Sequence, residues 1–356
     1  MVALQTGLMR FSSHAGRLVS GHAGQLAAAG TVLLWASAFP AIAVAVRGLG
    51  PAGLAVVRLA VASVALALAA PFLGVRRPRP RDLPLIAVCG LAGMTAYQLL
   101  LNDGERIVPA GTASLLVATS PVYASLLAAC FLGERPARWW WAGSAVALAG
   151  SAVIAVSHGV GFGAAALVVL AAAVVQGVFH VAQKPLLRRY SGFEVTVYAM
   201  WAGTVFILPW AGTAVVALPR AGAPAIEAAV FLGVAPSAVG FVLWACAMSR
   251  MTVGQATLSL YLVPAAAIVI SLVWLSQVPG PVELAGGAIV LGGVILASAA
   301  GPGAMKSLPV IPPHHRGTHH QPAQQPDPGG QDPAAQAGVG LCVEVHDGPN
   351  AVEDLA

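Results

Sequence analysis

Hydrophobic positions along the chain run in solid blocks of about 20 residues rather than in alternation with polar ones. Ten blocks stand out, at 25–46, 53–74, 83–101, 110–132, 139–157, 164–183, 195–217, 228–247, 256–276 and 282–300. Turn-rich or charged pieces separate them, among them Gly48–Pro51, Arg76–Asp82, Gly133–Arg138, Leu187–Gly192 and Val278–Pro281. Strands of a membrane barrel would alternate with a period of two in pieces of about ten residues. Blocks twice that length match helices, each of which satisfies its own backbone hydrogen bonds in lipid and needs about 20 apolar residues to cross it. The pattern predicts an all-α polytopic membrane protein with ten transmembrane helices.

Composition strengthens that picture. Apolar residues make up 58% of the 356 positions and charged ones 9%, against about 45–50% and about 25% in soluble domains. The formal net charge of +5 comes from basic residues spread through the loops, which argues against nucleic-acid binding. Cys89, Cys130, Cys246 and Cys342 show no CxxC spacing and read as small hydrophobes. The N-terminal stretch lacks the short apolar core of a cleavable signal, so the first apolar helix is expected to do the targeting. From Gly301 onward Pro, Gln, Gly and His take over, and residues 301–356 are expected to form a disordered tail. Its His314, His315, His319 and His320 could hold a transition metal, but a solvated low-complexity segment is the plainer reading, and no metal site is expected.

The chain repeats itself. Residues 111–154 lie over 254–297 without a gap at an offset of 143, pairing Gly111 with Gly254, Pro121 with Pro264, Pro136 with Pro279, Gly143 with Gly286 and Gly150 with Gly293. This divides the chain into a cytoplasmic segment 1–24, a five-helix repeat at 25–157, a second at 164–300, and the tail. An odd number of helices per repeat inverts the second half, the architecture of many secondary transporters. With the N-terminus inside, the inner loops hold ten basic residues and the outer loops only Arg47, Arg106 and Arg220. Both termini are therefore expected in the cytoplasm of a multi-pass protein of the cell inner or plasma membrane.

The order of signals resembles the EamA-type family of the drug/metabolite transporter superfamily. The first helix carries Trp35-Ala36-Ser37-Ala38-Phe39-Pro40 and the second Arg58. The fourth runs from Pro109-Ala110-Gly111-Thr112 through Ser120-Pro121 to Gly133-Glu134, and the second half has Gly254-Gln255-Ala256-Thr257, then Val263-Pro264. The resemblance covers about residues 25–300 and implies a secondary transporter, most relatives being thought of as exporters. Two departures stand out. Ser276-Gln277 replaces the Gly-Glu that usually ends the fourth helix of the second unit, and Gln176 replaces a Trp.

Enzyme signatures such as HExxH, and the Walker A sequence, are absent, so neither catalysis, a cofactor nor self-driven nucleotide hydrolysis is expected. The expected partners are a small-molecule substrate, the lipid bilayer, a proton if transport is coupled, and a second copy of the chain. The expected activity is export of a small organic metabolite, amino acid or drug-like compound by alternating access. Import, or a receptor or scaffold role without transport, is the alternative.

Polar and aromatic residues inside apolar spans tend to face the bundle interior. On this ground Trp35, Arg58, Tyr97, Gln98, Asn102, Tyr123, Gln176, His180, Trp201, Trp244 and Tyr261 are candidates for the substrate cavity. Each also has a plainer role open to it: packing for the Trp residues, a structural hydrogen bond for Arg58 and His180. Pro40, Pro121 and Pro264 are candidate helix breaks, since each removes a backbone hydrogen bond. The seven carboxylates between residues 25 and 300 all fall at helix ends or in loops. A proton carrier would then be His180, or Asp103 or Glu134 if tilt brings one inward. The cavity is expected between the halves, lined by the first, third, fourth, sixth, eighth and ninth spans. The fifth and tenth are expected to pack through Gly143/Ala147 and Ala288/Gly292.

Overall fold

The computed structural model describes residues 2–133, 138–156, 160–278 and 280–298. Glu134 and the tail after Gly301 lie outside the described residues. All the described elements are helical, with no strand among them. In chain order they are α1 (Val2–Leu73), α2 (Pro80–Gly104), α3 (Ala110–Phe131), α4 (Arg138–Val156), α5 (Val160–Leu186), α6 (Gly192–Arg220), α7 (Ala223–Arg250), α8 (Val253–Leu275) and α9 (Pro281–Ser298). Among the described residues, seven helices are long and apolar enough to cross a membrane. One of the seven is the 51-residue run Ala23–Leu73 of α1. The helices α4 and α9, of 19 and 18 residues, are not among the seven.

A straight helix of 51 residues would be about 77 Å long, more than twice the bilayer core. The run is not straight. At Gly50 the backbone leaves helical geometry with φ 66° and ψ 168°, values that glycine adopts without steric cost. Trp35 and Arg58 lie on either side, and in one helix they would stand about 35 Å apart. Yet Trp35 Nε1 donates to the Pro236 carbonyl at 3.1 Å and Arg58 Nε donates to Ser237 Oγ at 2.7 Å. Both limbs of α1 therefore meet the same turn of α7, which requires the chain to fold back at Gly50. Asn102 steadies the turn by donating from Nδ2 to the Pro51 carbonyl at 3.1 Å. Pro40, a candidate break, leaves the helix unbroken, because Gly50 is the one residue of α1 that departs from helical φ/ψ.

The two halves share their irregularities. A π-helical stretch occupies Cys89–Ala96 in α2 and another Gly233–Val239 in α7, extending the repeat offset beyond the matching sequence. Helical geometry is interrupted at Ala118–Thr119 in α3 and at Leu260–Tyr261 in α8. Pro121 and Pro264 sit in the first turn after these interruptions, where backbone N–H groups have no partner within the helix.

The helices α4 and α9 pack closely against each other. A Cβ on Gly293 would lie 2.5 Å from the Gly143 carbonyl oxygen, and one on Gly150 2.7 Å from that of Gly286. The contact stripe on α9 is thus Gly286, Val290 and Gly293, whereas Ala288 and Gly292, expected in that role, are exposed. Large apolar side chains point outward around the bundle, Phe72 and Val273 among them, as an apolar solvent permits.

Candidate functional site

A narrow cavity opens where both limbs of α1 meet α2, α3, α5, α7 and α8. These are the spans expected around it, with the addition of the second limb of α1 through Arg58. Its wall is mainly apolar and aromatic, from Trp35, Phe39, Ile42, Leu101, Phe241 and Val263, and its polar groups come from Arg58, Tyr97, Ser114, Ser120 and Gln176. Such a lining, with few polar groups, suits a small organic ligand. The interruption of α3 places Ser120 at the start of a new helical segment, and Leu260 of the interrupted α8 also lines the wall.

Arg58 is 3% exposed. Its Nε is held by Ser237, while Nη1 has no hydrogen-bond partner among the described residues. A buried cation with an unused donor is costly unless something completes it. Gln176 Oε1 is likewise unpartnered among the described residues.

Next to this cavity, on the side of the Gly50 turn, is a wider vestibule lined by Val46, Arg47, Pro51, Glu105, Arg106, Ala110 and Gln277 among others. Three helices run from one space to the other in single turns: Ile42 to Val46, Leu101 to Glu105, and Ser114 to Ala110. Glu105, just past the end of α2, is 6% exposed, and neither of its carboxylate oxygens has a hydrogen-bond partner among the described residues. Burial holds its pKa well above the usual carboxylate range, against the opposing pull of the Arg58 charge.

The remaining candidates distribute unevenly. Trp35, Arg58, Tyr97 and Gln176 line the cavity. Trp244 and His180 stand behind Trp35: the Trp244 ring lies 5.3 Å from Trp35 and 4.8 Å from His180. Trp244 Nε1 donates to His180 Nδ1 at 3.1 Å. Because indole only donates, this bond leaves the imidazole proton on Nε2. His180 therefore sits in an aromatic cluster behind the cavity wall, with Nδ1 engaged by Trp244 and Nε2 without a hydrogen-bond partner among the described residues. Tyr261 is buried with Ala118, Ala147 and Val290, toward α4 and α9, and Tyr123 packs over Gly177 of α5. Gln98 is fully buried, with neither polar atom of its amide paired among the described residues.

Two candidates fall outside the interior altogether. Trp201 is 41% exposed on the outer face of α6, over a surface groove with Ala67, Pro71 and Val205. α6 is apolar on every side, so its sequence marks no inward face. The Asp103 side chain is 53% exposed and pairs with Arg106 at 3.2 Å. The buried acid in that region is Glu105, two residues on, and the available signal was its place one turn beyond Leu101 on the same face.

At the far end of the bundle, side chains from the two halves clasp each other. Arg76 meets Glu194 through Nε at 2.8 Å and Nη2 at 2.9 Å. Arg189 pairs with Asp82, which also accepts from Tyr190 Oη at 2.8 Å. Glu194 forms a capping box with Ser191 at the start of α6.

Two successive stretches, residues 22–156 and 163–299, match the model of the EamA-like transporter family. The chain belongs to the EamA-like transporter family. It is 59% identical over 267 residues to a probable terminal-alkyne amino-acid exporter of Streptantibioticus cattleyicolor, covering 75% of this chain and 90% of that one. It is 35% identical over 269 residues to the uncharacterized transporter YdfC of Bacillus subtilis, covering 73% and 86%. One solved crystal structure superposes with a TM-score of 0.57 at 22% identity over 78% of this chain and 97% of the other, a likeness of fold. This EamA-like protein is accordingly a multi-pass membrane transporter of small molecules. Its family and its named relatives are transporters. The clasp joins residues from its two matched stretches, and the cavity lies between them.

Proposed function

We propose that this EamA-like protein exports an amino acid with a slender apolar side chain by alternating access. The observation that carries the reading is Arg58, a buried guanidinium with an unused donor on the wall of an otherwise apolar and aromatic cavity. A carboxylate would complete that donor, and the surrounding Phe39, Ile42 and Phe241 would take an apolar side chain. The related exporter, whose substrate is described as a terminal-alkyne amino acid, supports the same chemistry, since an alkyne is linear, thin and apolar.

The ten crossings follow if α1 counts twice about Gly50 and α4 and α9 supply the last two. The domains are then two five-helix repeats, 25–157 and 164–300, between a cytoplasmic segment and the tail. The excess of basic residues in the loops around Arg76 and Arg189 supports a reading in which that end faces the cytoplasm of an inner or plasma membrane and the vestibule faces outside. The clasp at the cytoplasmic end then favours an outward-open arrangement.

Flux of labelled amino acids, including a terminal-alkyne one, in proteoliposomes tests this. Saturable flux that falls at least tenfold in Arg58→Gln, with a terminal-alkyne or short aliphatic amino acid preferred over amines lacking the carboxylate, is the expected result. Equal flux of a decarboxylated analogue would overturn it.

A further inference from the structure

Glu105 has no part in the reading above, yet among the described residues it is the one carboxylate lining the cavity or the vestibule. The Leu101-to-Glu105 turn puts it at the cavity's outer edge. The Arg58 and Glu105 charges act on one another without forming an ion pair among the described residues. A cation and an anion held near each other but apart, each with unused hydrogen-bonding capacity, match the two poles of a zwitterion.

We propose that Glu105 binds the α-ammonium of the exported amino acid while Arg58 binds its carboxylate, and that a proton from the outer solution displaces the ammonium from Glu105, coupling export to proton entry. This rests on the amino-acid reading. With Glu105 ionised, the pair is neutral overall and suits a neutral zwitterion. A proton taken from the vestibule onto the Glu105 carboxylate leaves the ammonium, still carrying its own protons, beside an uncompensated Arg58. Release outward follows, and the protonated site returns to face the cytoplasm.

The other charged or titratable groups around Glu105 are few. Arg58 from the second limb of α1 and Tyr97 from α2 act on it, Arg47 lines the same vestibule from the first limb, and its own segment carries the exposed Asp103–Arg106 pair. The neighbouring stretch of α3 contributes only Pro109 and Ala110 to the vestibule, and Gln277 brings an uncharged amide. Arg47 and Arg106 bring only basic side chains to the vestibule and Asp103 is paired with Arg106, which leaves Glu105 as the carboxylate of this region without an ion pair or a hydrogen-bond partner among the described residues.

The test uses purified full-length protein in proteoliposomes, with a labelled terminal-alkyne amino acid as probe. In wild type, acidifying the vestibule side should raise the half-saturation concentration on that side, approaching tenfold per pH unit below the carboxyl's pKa. A pH gradient at zero membrane potential should drive uphill movement. Glu105→Gln should keep exchange at equal pH with a half-saturation raised about tenfold or more, lose its pH dependence, and lose uphill movement. Glu105→Asp, which keeps a carboxyl, should retain both. Independently of any variant, adding the amino acid to weakly buffered wild-type protein should release protons. Uphill movement by Glu105→Gln, or binding without proton release in wild type, would overturn the proposal while leaving the amino-acid reading intact. Absence of amino-acid flux or binding in wild type would overturn both.

Discussion

If the clasp between Arg76 and Glu194 closes the cytoplasmic end, replacing Arg76 with Gln should shift the protein toward its inward-open state. The substitution removes two charge-assisted contacts at 2.8 and 2.9 Å and a third hydrogen bond, from Nη2 to the Arg189 carbonyl, at 3.1 Å. Glu194 is not stranded, because the backbone N–H groups of Arg76 and Ser191 still donate to it at 3.1 and 2.8 Å. The Arg76 side chain is 58% exposed, so solvent screens much of the attraction and the loss is about 1 kcal/mol. That is about a fivefold change in the ratio of the two states. Arg189→Gln, which breaks the pairing with Asp82, should shift the ratio in the same direction. The assay is a pulsed electron spin distance measurement between labels at Arg77→Cys and Arg188→Cys, both exposed on the two sides of the clasp. Each variant should transfer population from the short to the long distance. A drop in melting temperature with the distance distribution unchanged would refute the reasoning, since the clasp would then be a static brace.

Further substitutions probe the packing and the site. Gly293→Val should collapse the α4–α9 contact, because a Cβ would fall 2.5 Å from the Gly143 carbonyl; a loss of about 3 kcal/mol or more should appear as a sharply reduced monodisperse yield, whereas Gly292→Val, where a Cβ meets nothing, should behave as wild type. Ser276→Gly should stabilise by about 0.5–1 kcal/mol, readable as a rise in melting temperature, since Ser276 sits in the left-handed region at φ 53° where the first half has Gly133 at φ 69°. Trp201→Ala should leave amino-acid flux within about twofold of wild type, its ring being on the outer surface, while Trp35→Ala should lower affinity by removing both a cavity wall and the bond to Pro236. His180→Gln should leave any pH dependence of flux in place, because the ring is engaged by Trp244.

The chain's hydrophobic blocks read directly as helices because lipid leaves the backbone few other ways to satisfy itself, and the boundaries followed from Gly, Pro and charge. What blocks of this kind do not reveal is direction. In a soluble amphipathic helix the polar face marks the outside. In lipid both faces are apolar, so Trp201 on α6 and Trp244 on α7 look alike in sequence although one is exposed and the other fully buried. The prolines show a related limit. Pro40 lies inside a continuous helix, whereas Pro121 and Pro264 follow interruptions, and the residue type alone does not distinguish the two cases.

Charge was misleading in the opposite sense. A carboxylate at a helix end is expected to meet water, and Asp103 does. Asp82, Glu105 and Glu194 stand at equally terminal positions and are each buried, because the ends of this bundle are covered by partners from other helices. Asp82 and Glu194 find Arg189, Tyr190, Arg76 and Ser191 there. Glu105 has no such hydrogen-bond partner among the described residues. The same environment that makes two of these acids structural therefore leaves the third unsatisfied, and it is the third that stands on the path between the cavity and the vestibule. Terminal position alone cannot separate the three. Their partners can, and those partners are brought together only when the two halves of the chain meet.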